Sequence, residues 1–260
     1  MRVQIADMDL EQIHLSGQCF RWERLGEGRY RIPAFGRSLV AEQRDGFFEF
    51  SCSAREFDEV WRFYFDLDRD YGAIKRQIDP KDLYLNKAAA FGGGVRVLRQ
   101  ELWEVVFSFI ISQNNHIPRI RQNINTLCAW FGGGLPSPAA LACEKPETLR
   151  KLGLGYRAEY LCAAGGFFSD ASYLSALKEL PYPQSKEALQ RIKGIGPKVA
   201  DCICLFGLHQ VEGFPLDTHI KRILREEYPK GFPFKRYQGY AGILQQYMFY
   251  YDLFGKKEPR

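Results

Sequence analysis

The chain has 260 residues, 46% of them hydrophobic and 26% charged, with a net charge of +5. That is enough apolar material for one large core or two modest ones. No run of about 18 apolar residues occurs, which excludes a membrane-spanning helix, and the opening MRVQIADMDLEQIHL mixes charged and apolar residues too evenly for a secretory signal; a cytoplasmic, nucleoid-associated location is expected.

Residues 18–51 are predicted to form strands. The runs 19–22, 30–32 and 47–50 alternate apolar with polar residues, and Gly26, Gly28, Gly36 and Gly46 punctuate them. Ser53 offers an N-cap to a helix that carries Phe57, Val60, Trp61 and Tyr64 on one stripe. A short helix over 71–78 ends at Asp79-Pro80. Beyond Pro80 the spacing predicts helices at 98–109, 118–131, 138–141, 148–152, 158–168, 185–192, 198–208, 218–227 and 237–253, most of them closed by Gly or Pro. The expected fold class is α+β. A small N-terminal antiparallel β-sheet domain with two helices (1–80) precedes a mostly α-helical body (81–260) that contains a helix-hairpin-helix motif at 185–208.

Seven cysteines are scattered along the chain. An odd, dispersed set does not make a secreted disulfide framework. Cys202 and Cys204 form the one close pair, with no second pair at zinc spacing. These thiols read as reduced and mostly buried, and no metal site is expected.

The positive charge is uneven. Between Ser185 and Arg236 ten Lys/Arg face six Asp/Glu, which is either a solvated helical face or a surface for a polyanion. The segment SKEALQRIKGIGPKVADCICLFGL lies within it. Two amphipathic helices are joined by Lys193-Gly194-Ile195-Gly196-Pro197. Gly194 and Gly196 tolerate positive φ, Pro197 suits a helix opening, and Ile192 and Ile195 pin the turn. The exposed N–H groups and positive dipole end of the second helix form a natural phosphate seat that grips DNA without reading its sequence. Lys198 stands in the first turn of that helix, where the dipole disfavours the ammonium and so favours a free, nucleophilic amine. From these residues alone, a phosphate-binding lysine and a nucleophile are both open. Asp217, further on in Phe-Pro-Leu-Asp-Thr-His-Ile, is an N-cap by position. Its carboxylate could at the same time steady positive charge on a reacting sugar.

A hairpin with Gly-Ile-Gly-x-Lys followed by Pro-x-Asp-x-His resembles the helix-hairpin-helix DNA glycosylases with a Gly/Pro-rich loop and catalytic Asp. The stretches GQCFRW (17–22), FSFIISQNN (107–115), LGLGYRA (152–158) and KVADCICL (198–205) narrow the resemblance to the 8-oxoguanine DNA glycosylase/AP lyase branch, over nearly the whole chain. The resemblance implies a bifunctional enzyme of base excision repair. Lys198 would displace the damaged base and form a Schiff base, β-elimination would nick the strand, and Asp217 would assist. Phe249 and Cys202 would sandwich the flipped base, Gln245 would read its Watson–Crick edge, and the Gly17 carbonyl would accept the N7–H that guanine lacks. Asn114 and Tyr156 match filler and wedge, and Arg119 and Arg157 match the pair on the estranged cytosine. His219 would lie near the lesion phosphate, with Lys193, Gly194 and Gly196 on the DNA backbone.

His116 and Pro118 depart from the family's asparagine run, which bears on opposite-base preference. Endonuclease III-like relatives use four C-terminal cysteines for an iron–sulfur cluster, and none follows Cys204 here, so neither cluster nor other cofactor is expected. A monovalent cation on hairpin carbonyls is compatible with the motif. The expected partner is double-stranded DNA containing 8-oxoguanine, bound by a monomer, with no membrane. Two other readings stand beside this one: a monofunctional alkylbase glycosylase, against which Lys198 argues, and a silent hairpin module that only binds DNA.

Overall fold

The computed structural model describes residues 1–255. Its chain divides into two compact units, Met1–Arg99 with Val211–Arg260, and Gln100–Gln210.

The first unit opens with a five-stranded antiparallel sheet in the order β1-β5-β4-β3-β2, where β1 is Arg2–Val3, β2 Glu23–Gly26, β3 Arg29–Ala34, β4 Arg37–Arg44 and β5 Phe47–Phe50. Two tight turns set the register. Phe35-Gly36 and Asp45-Gly46 each place both residues at positive φ (52° and 67°, 52° and 77°), the turn whose twist matches a right-handed hairpin. Ala34 thereby pairs with Arg37, and Arg44 with Phe47. Tyr30, Ile32, Leu39, Ala41, Phe48 and Phe50 then point to one face and are buried. They meet Trp22, Phe57, Trp61, Tyr64 and Phe65 in one apolar cluster. The outer face carries cross-strand ion pairs such as Arg29–Glu42 and Arg31–Glu23.

The Ser53 cap forms as expected, accepting from the Glu56 N–H at 3.1 Å. The helix behind it runs through Ala54–Glu56, a wide turn at Phe57–Trp61, and Arg62–Tyr64. Residues 19–22 are not a strand. Cys19, Phe20 and Trp22 are all buried, with no alternation to present. Their loop is tied down by Gln18, whose amide donates to the Arg96 carbonyl and accepts from the Leu98 N–H, both at 2.8 Å. The same unit holds helices Leu10–Leu15 and Leu83–Phe91, which the periodicity did not reveal. Its last two helices are Thr218–Glu227 and Ala241–Phe254, the latter starting four residues later than expected.

The second unit is helical throughout: Leu102–Ser112, Ile117–Trp130, Pro138–Cys143, Pro146–Leu149, Arg157–Phe168, Ala171–Glu179, Tyr182–Gln190 and Pro197–Phe206. Leu102–Ser112 is its buried axis, with Val105, Val106, Phe107, Ile110 and Ile111 almost fully covered. Helices Pro138–Cys143 and Arg157–Phe168 touch backbone to backbone at Gly165, where a Cβ would fall 2.6 Å from the Pro138 carbonyl oxygen.

Candidate active site

The two helices of the hairpin are Tyr182–Gln190 and Pro197–Phe206. The first starts three residues ahead of the expected Ser185, because Pro183 sits comfortably in an opening turn. Gly194 has φ +91°, and a Cβ there would fall 2.1 Å from Cγ of Tyr160, so the ring lies directly beneath the turn. Its carbonyl accepts from Gln113 Nε2 at 2.9 Å. Gly196 departs from the expectation of positive φ. At φ −85° and ψ 177° it is the extended N-cap of Pro197–Phe206, a conformation any residue adopts. A Cβ there would meet nothing within 4 Å. Glycine at this position leaves the space before the helix open, and no side chain caps its N–H groups, which is the arrangement an anion needs.

Lys198 is half-buried in the first turn of this helix. Its Nζ lies 5.2 Å from the centre of the Phe109 ring, and that ring stacks on Phe206 at 5.4 Å. An aromatic face attracts the ammonium without supplying a proton acceptor. Cys202, one turn further along the same face, is 2% exposed. Beneath the hairpin, Asp201 accepts from Tyr182 Oη at 2.6 Å and from Lys186 Nζ at 2.9 Å, joining the two helices. Burial pushes its carboxyl up, and the two donors oppose that rise.

Of the two residues matched to filler and wedge, Asn114 lies in the loop after Leu102–Ser112 and Tyr156 just before Arg157–Phe168. Asn114 sits at φ +46°, a region asparagine tolerates better than most residues. Its Nδ2 reaches Tyr156 Oη at 3.4 Å, and Tyr156 is 44% exposed. Arg157, by contrast, is 6% exposed. Its Nε donates to the Gln113 carbonyl at 2.9 Å, and its Nη2 donates to the carbonyls of Gln113 and, at 3.0 Å, Asn114. Arg119 presents an exposed side chain, while its N–H donates to His116 Nδ1 at 3.4 Å. The two departures from the asparagine run thus have local roles. His116 is the N-cap of Ile117–Trp130, and Pro118 lies in its opening turn. Lys193 is exposed and pairs with Glu159 at 2.7 Å.

The other unit assembles the remaining residues. Gly17, at φ +76°, lies against Phe249, whose Cε1 would be 3.4 Å from a Cβ at that position. The Gly17 carbonyl accepts no hydrogen bond among the described residues. Phe249 meets the His219 ring edge to face at 5.7 Å. Gln245 is buried, donating to the Pro215 carbonyl at 3.2 Å and accepting from Gln246 Nε2 at 2.8 Å. Asp217 caps Thr218–Glu227, its Oδ1 accepting from the Ile220 N–H at 2.8 Å, and Oδ2 remains for a second task. His219 Nδ1 is 2.8 Å from Asp252 Oδ2, and Arg222 binds the same oxygen. Asp252 was missed in the sequence. It is the one charged residue in Ala241–Phe254, and a lone buried acid must have a partner; here it holds His219 by Nδ1, together with Arg222. Phe109 was missed too, since nothing local distinguishes it from core.

Residues 1–106 match the family model of the 8-oxoguanine DNA glycosylase N-terminal domain, and 107–229 that of the HhH-GPD superfamily of base excision DNA repair proteins. The solved structure of MBOgg1, in complex with a low affinity DNA ligand, is 36% identical, with TM-score 0.89, covering 97% of this chain and 94% of that one. The Clostridium acetobutylicum 8-oxoguanine glycosylase/lyase, bound to double-stranded DNA with cytosine opposite 8-oxoG, is 33% identical, with TM-score 0.86, covering 94% and 91%. This chain belongs to the 8-oxoguanine DNA glycosylase family. The N-glycosylase/DNA lyase of Saccharomyces cerevisiae is 39% identical over 52% of the chain, and that of Arabidopsis thaliana 29% over 80%. The aligned regions span 42% and 63% of those two relatives' own lengths. The 3-methyladenine DNA glycosylase of Archaeoglobus fulgidus, at 21% identity and TM-score 0.74, shares the fold. Among the described residues of this family member, no group of three or more His, Cys, Asp and Glu is placed to hold a metal ion.

Proposed function

We propose that this chain removes 8-oxoguanine from double-stranded DNA and then cuts the strand, with Lys198 as nucleophile. The neutral Nζ attacks C1′, the C1′–N9 bond breaks, and the base leaves with the bonding pair and takes up a proton. Ring opening converts the adduct to an imine. Loss of a C2′ proton then expels the 3′ phosphate by β-elimination, and water releases the lysine. The imine is itself the electron sink, so the chemistry asks nothing of a cofactor or an iron–sulfur cluster. Asp217 contributes Oδ2 to the developing positive charge on the sugar while Oδ1 keeps its helix cap.

The observation that carries this reading is the setting of Lys198. It stands in the first turn of a side-chain-uncapped helix and is half-buried. Its Nζ lies over the Phe109 ring, and no carboxylate pairs with it among the described residues. A lysine serving only to hold phosphate has no need of that apolar bed. Recognition rests on the Gly17 carbonyl, which accepts N7–H of the oxidised base and repels the N7 lone pair of guanine. The faces of the base are assigned to Phe249 and Cys202, and its edge to Gln245. Tyr156 and Asn114 fill the vacated stack. The exposed Arg119 binds the estranged base, cytosine by preference, and Arg157 holds the loop from below; the C. acetobutylicum relative was solved with cytosine opposite 8-oxoG. At the hairpin the Ile192 and Gly194 carbonyls each accept one hydrogen bond, which leaves a second lone pair on each oxygen for a monovalent cation.

Borohydride trapping on a duplex with 8-oxoguanine opposite cytosine tests the reading. The wild type is expected to form a covalent adduct. Lys198→Gln is expected to bind the duplex, form no adduct and release base slower by at least about 10⁴-fold. Folded wild-type protein that binds but never traps would leave a monofunctional glycosylase or a silent binder.

A further inference from the structure

Arg150, Glu159 and Lys193 form an ion triad on the surface beside the hairpin, and Arg150 Nη1 also binds Glu147 Oε1 at 3.0 Å. Lys193 Nζ lies 2.7 Å from Glu159 Oε2, and Arg150 Nη2 binds the other oxygen, Oε1. The three side chains are 64%, 39% and 40% exposed for Lys193, Glu159 and Arg150. The carboxyl of Glu159 is held below its ordinary range by Lys193 first, and Lys193 is raised chiefly by Glu159. The backbone around the triad is fixed. Gly194 rests on the ring of Tyr160, the residue after Glu159, and Gln113 holds the Gly194 carbonyl. The side chains are therefore the parts free to move.

We propose that Glu159 is a built-in stand-in for a DNA phosphate: it holds Lys193 and Arg150 in the free protein and gives them up to the backbone when the duplex docks. The idea rests on reading the hairpin as the DNA seat. Lys193 stands three residues before the uncapped helix start at Gly196, and Arg150 is joined to it through Glu159. Tyr156, the wedge, stands three residues before Glu159 on the adjoining stretch and packs edge-on against Tyr160 at 5.5 Å. The carboxylate thus sits where the phosphates of an engaged duplex would run. An exposed pair is weak and readily exchanged for another anion. After exchange Glu159 remains as an uncompensated negative charge near DNA, so its presence lowers affinity. Phosphate contacts carry no sequence information, and the penalty falls alike on damaged and undamaged duplex.

Fluorescence titration of a short lesion-free duplex across a sodium chloride series tests this. Glu159→Gln is expected to bind several-fold tighter at low salt, with a log K against log[salt] slope steeper by up to about 0.9, because the footprint then carries one more net positive charge toward the phosphates. Adding Lys193→Gln should cancel most of that gain, and a lesion-bearing duplex should show the same fold-change. Gly196→Glu, which places a like charge in open space at the helix start, separates the proposal from its premise. If Gly196→Glu binds as the wild type does, the hairpin is not the seat and both ideas fall. If Gly196→Glu loses binding while Glu159→Gln leaves affinity and slope unchanged, the exchange alone is overturned.

Discussion

In the hairpin, Lys193, Gly194, Gly196 and Lys198 share one short segment, held from below by Tyr160 and Gln113. In the other unit, Gly17 and Phe249 come from opposite ends of the chain and still pack together. The first set is organised by local backbone geometry. The second exists only once helix Ala241–Phe254 and the loop after Leu10–Leu15 have folded. Substitutions in the hairpin should therefore act through turn conformation and charge. Those around Phe249 should act through the fit of one surface to another.

Asp217 tests whether a residue can belong to both kinds. Its Oδ1 serves local structure and its Oδ2 is assigned to chemistry. Asparagine caps a helix about as well as aspartate, so Asp217→Asn is expected to change stability by less than about 0.5 kcal/mol. The same change removes the negative charge, and base release should fall by about 10²–10³-fold. Alanine should lose the cap as well, about 1 kcal/mol in thermal or urea unfolding. An asparagine variant that keeps full single-turnover rate would reduce Asp217 to a cap.

The two hairpin glycines give the next largest contrast. Gly194→Ala forces a side chain to φ +91° and into the Tyr160 ring. Strain and overpacking together should cost about 2–3 kcal/mol and weaken duplex binding. Gly196→Ala meets neither obstacle. Its stability should stay within about 0.5 kcal/mol of wild type, while the added methyl hinders phosphate approach. Denaturation and duplex titration on the pair would show the two effects dissociated. Equal destabilisation by both would mean that the extended N-cap is itself under strain.

This contrast also marks where the sequence was readable. The sheet turns at Gly36 and Gly46, the Ser53 and Asp217 caps and the helix at 218–227 follow from local chemistry, and all are present. Helix Leu10–Leu15 was not readable, because six residues are too few to display a period. Leu83–Phe91 was obscured by an exposed Leu83 and a run of alanines that blurs its buried face. Residues 19–22 resemble a strand in the sequence because Arg21 stands between two aromatics, but Cys19, Phe20 and Trp22 are buried together in a loop. Among the candidate site residues, Lys198 and Asp217 stand out by position, although position alone leaves Lys198 open between phosphate binding and nucleophilic attack. Phe249, Gln245 and Gly17 came only through resemblance, since their meaning lies in contacts distant in the chain. The ion pairing of Glu159 with Lys193 and the burial of Arg157 needed the fold itself.

Gly17→Ala sets the smallest expected effect against the most specific function. The substitution places a Cβ at φ +76°, a strain of about 1 kcal/mol, and brings it to 3.4 Å from Phe249. Neither obstacle is large, so the protein should fold with a slightly lowered Tm. The strain is relieved most simply by rotating the peptide toward negative φ, which turns the Gly17 carbonyl away from the place assigned to N7–H. Discrimination between 8-oxoguanine and guanine should then fall by up to about fivefold, the rate equivalent of that strain. Base release from matched duplexes carrying either base, measured at saturating enzyme, gives the ratio directly. A hairpin variant such as Gly196→Ala should weaken binding to both duplexes and leave the ratio alone. A Gly17→Ala enzyme with an unchanged ratio would take this carbonyl out of lesion recognition and leave Gly17 as the residue that lets Phe249 pack.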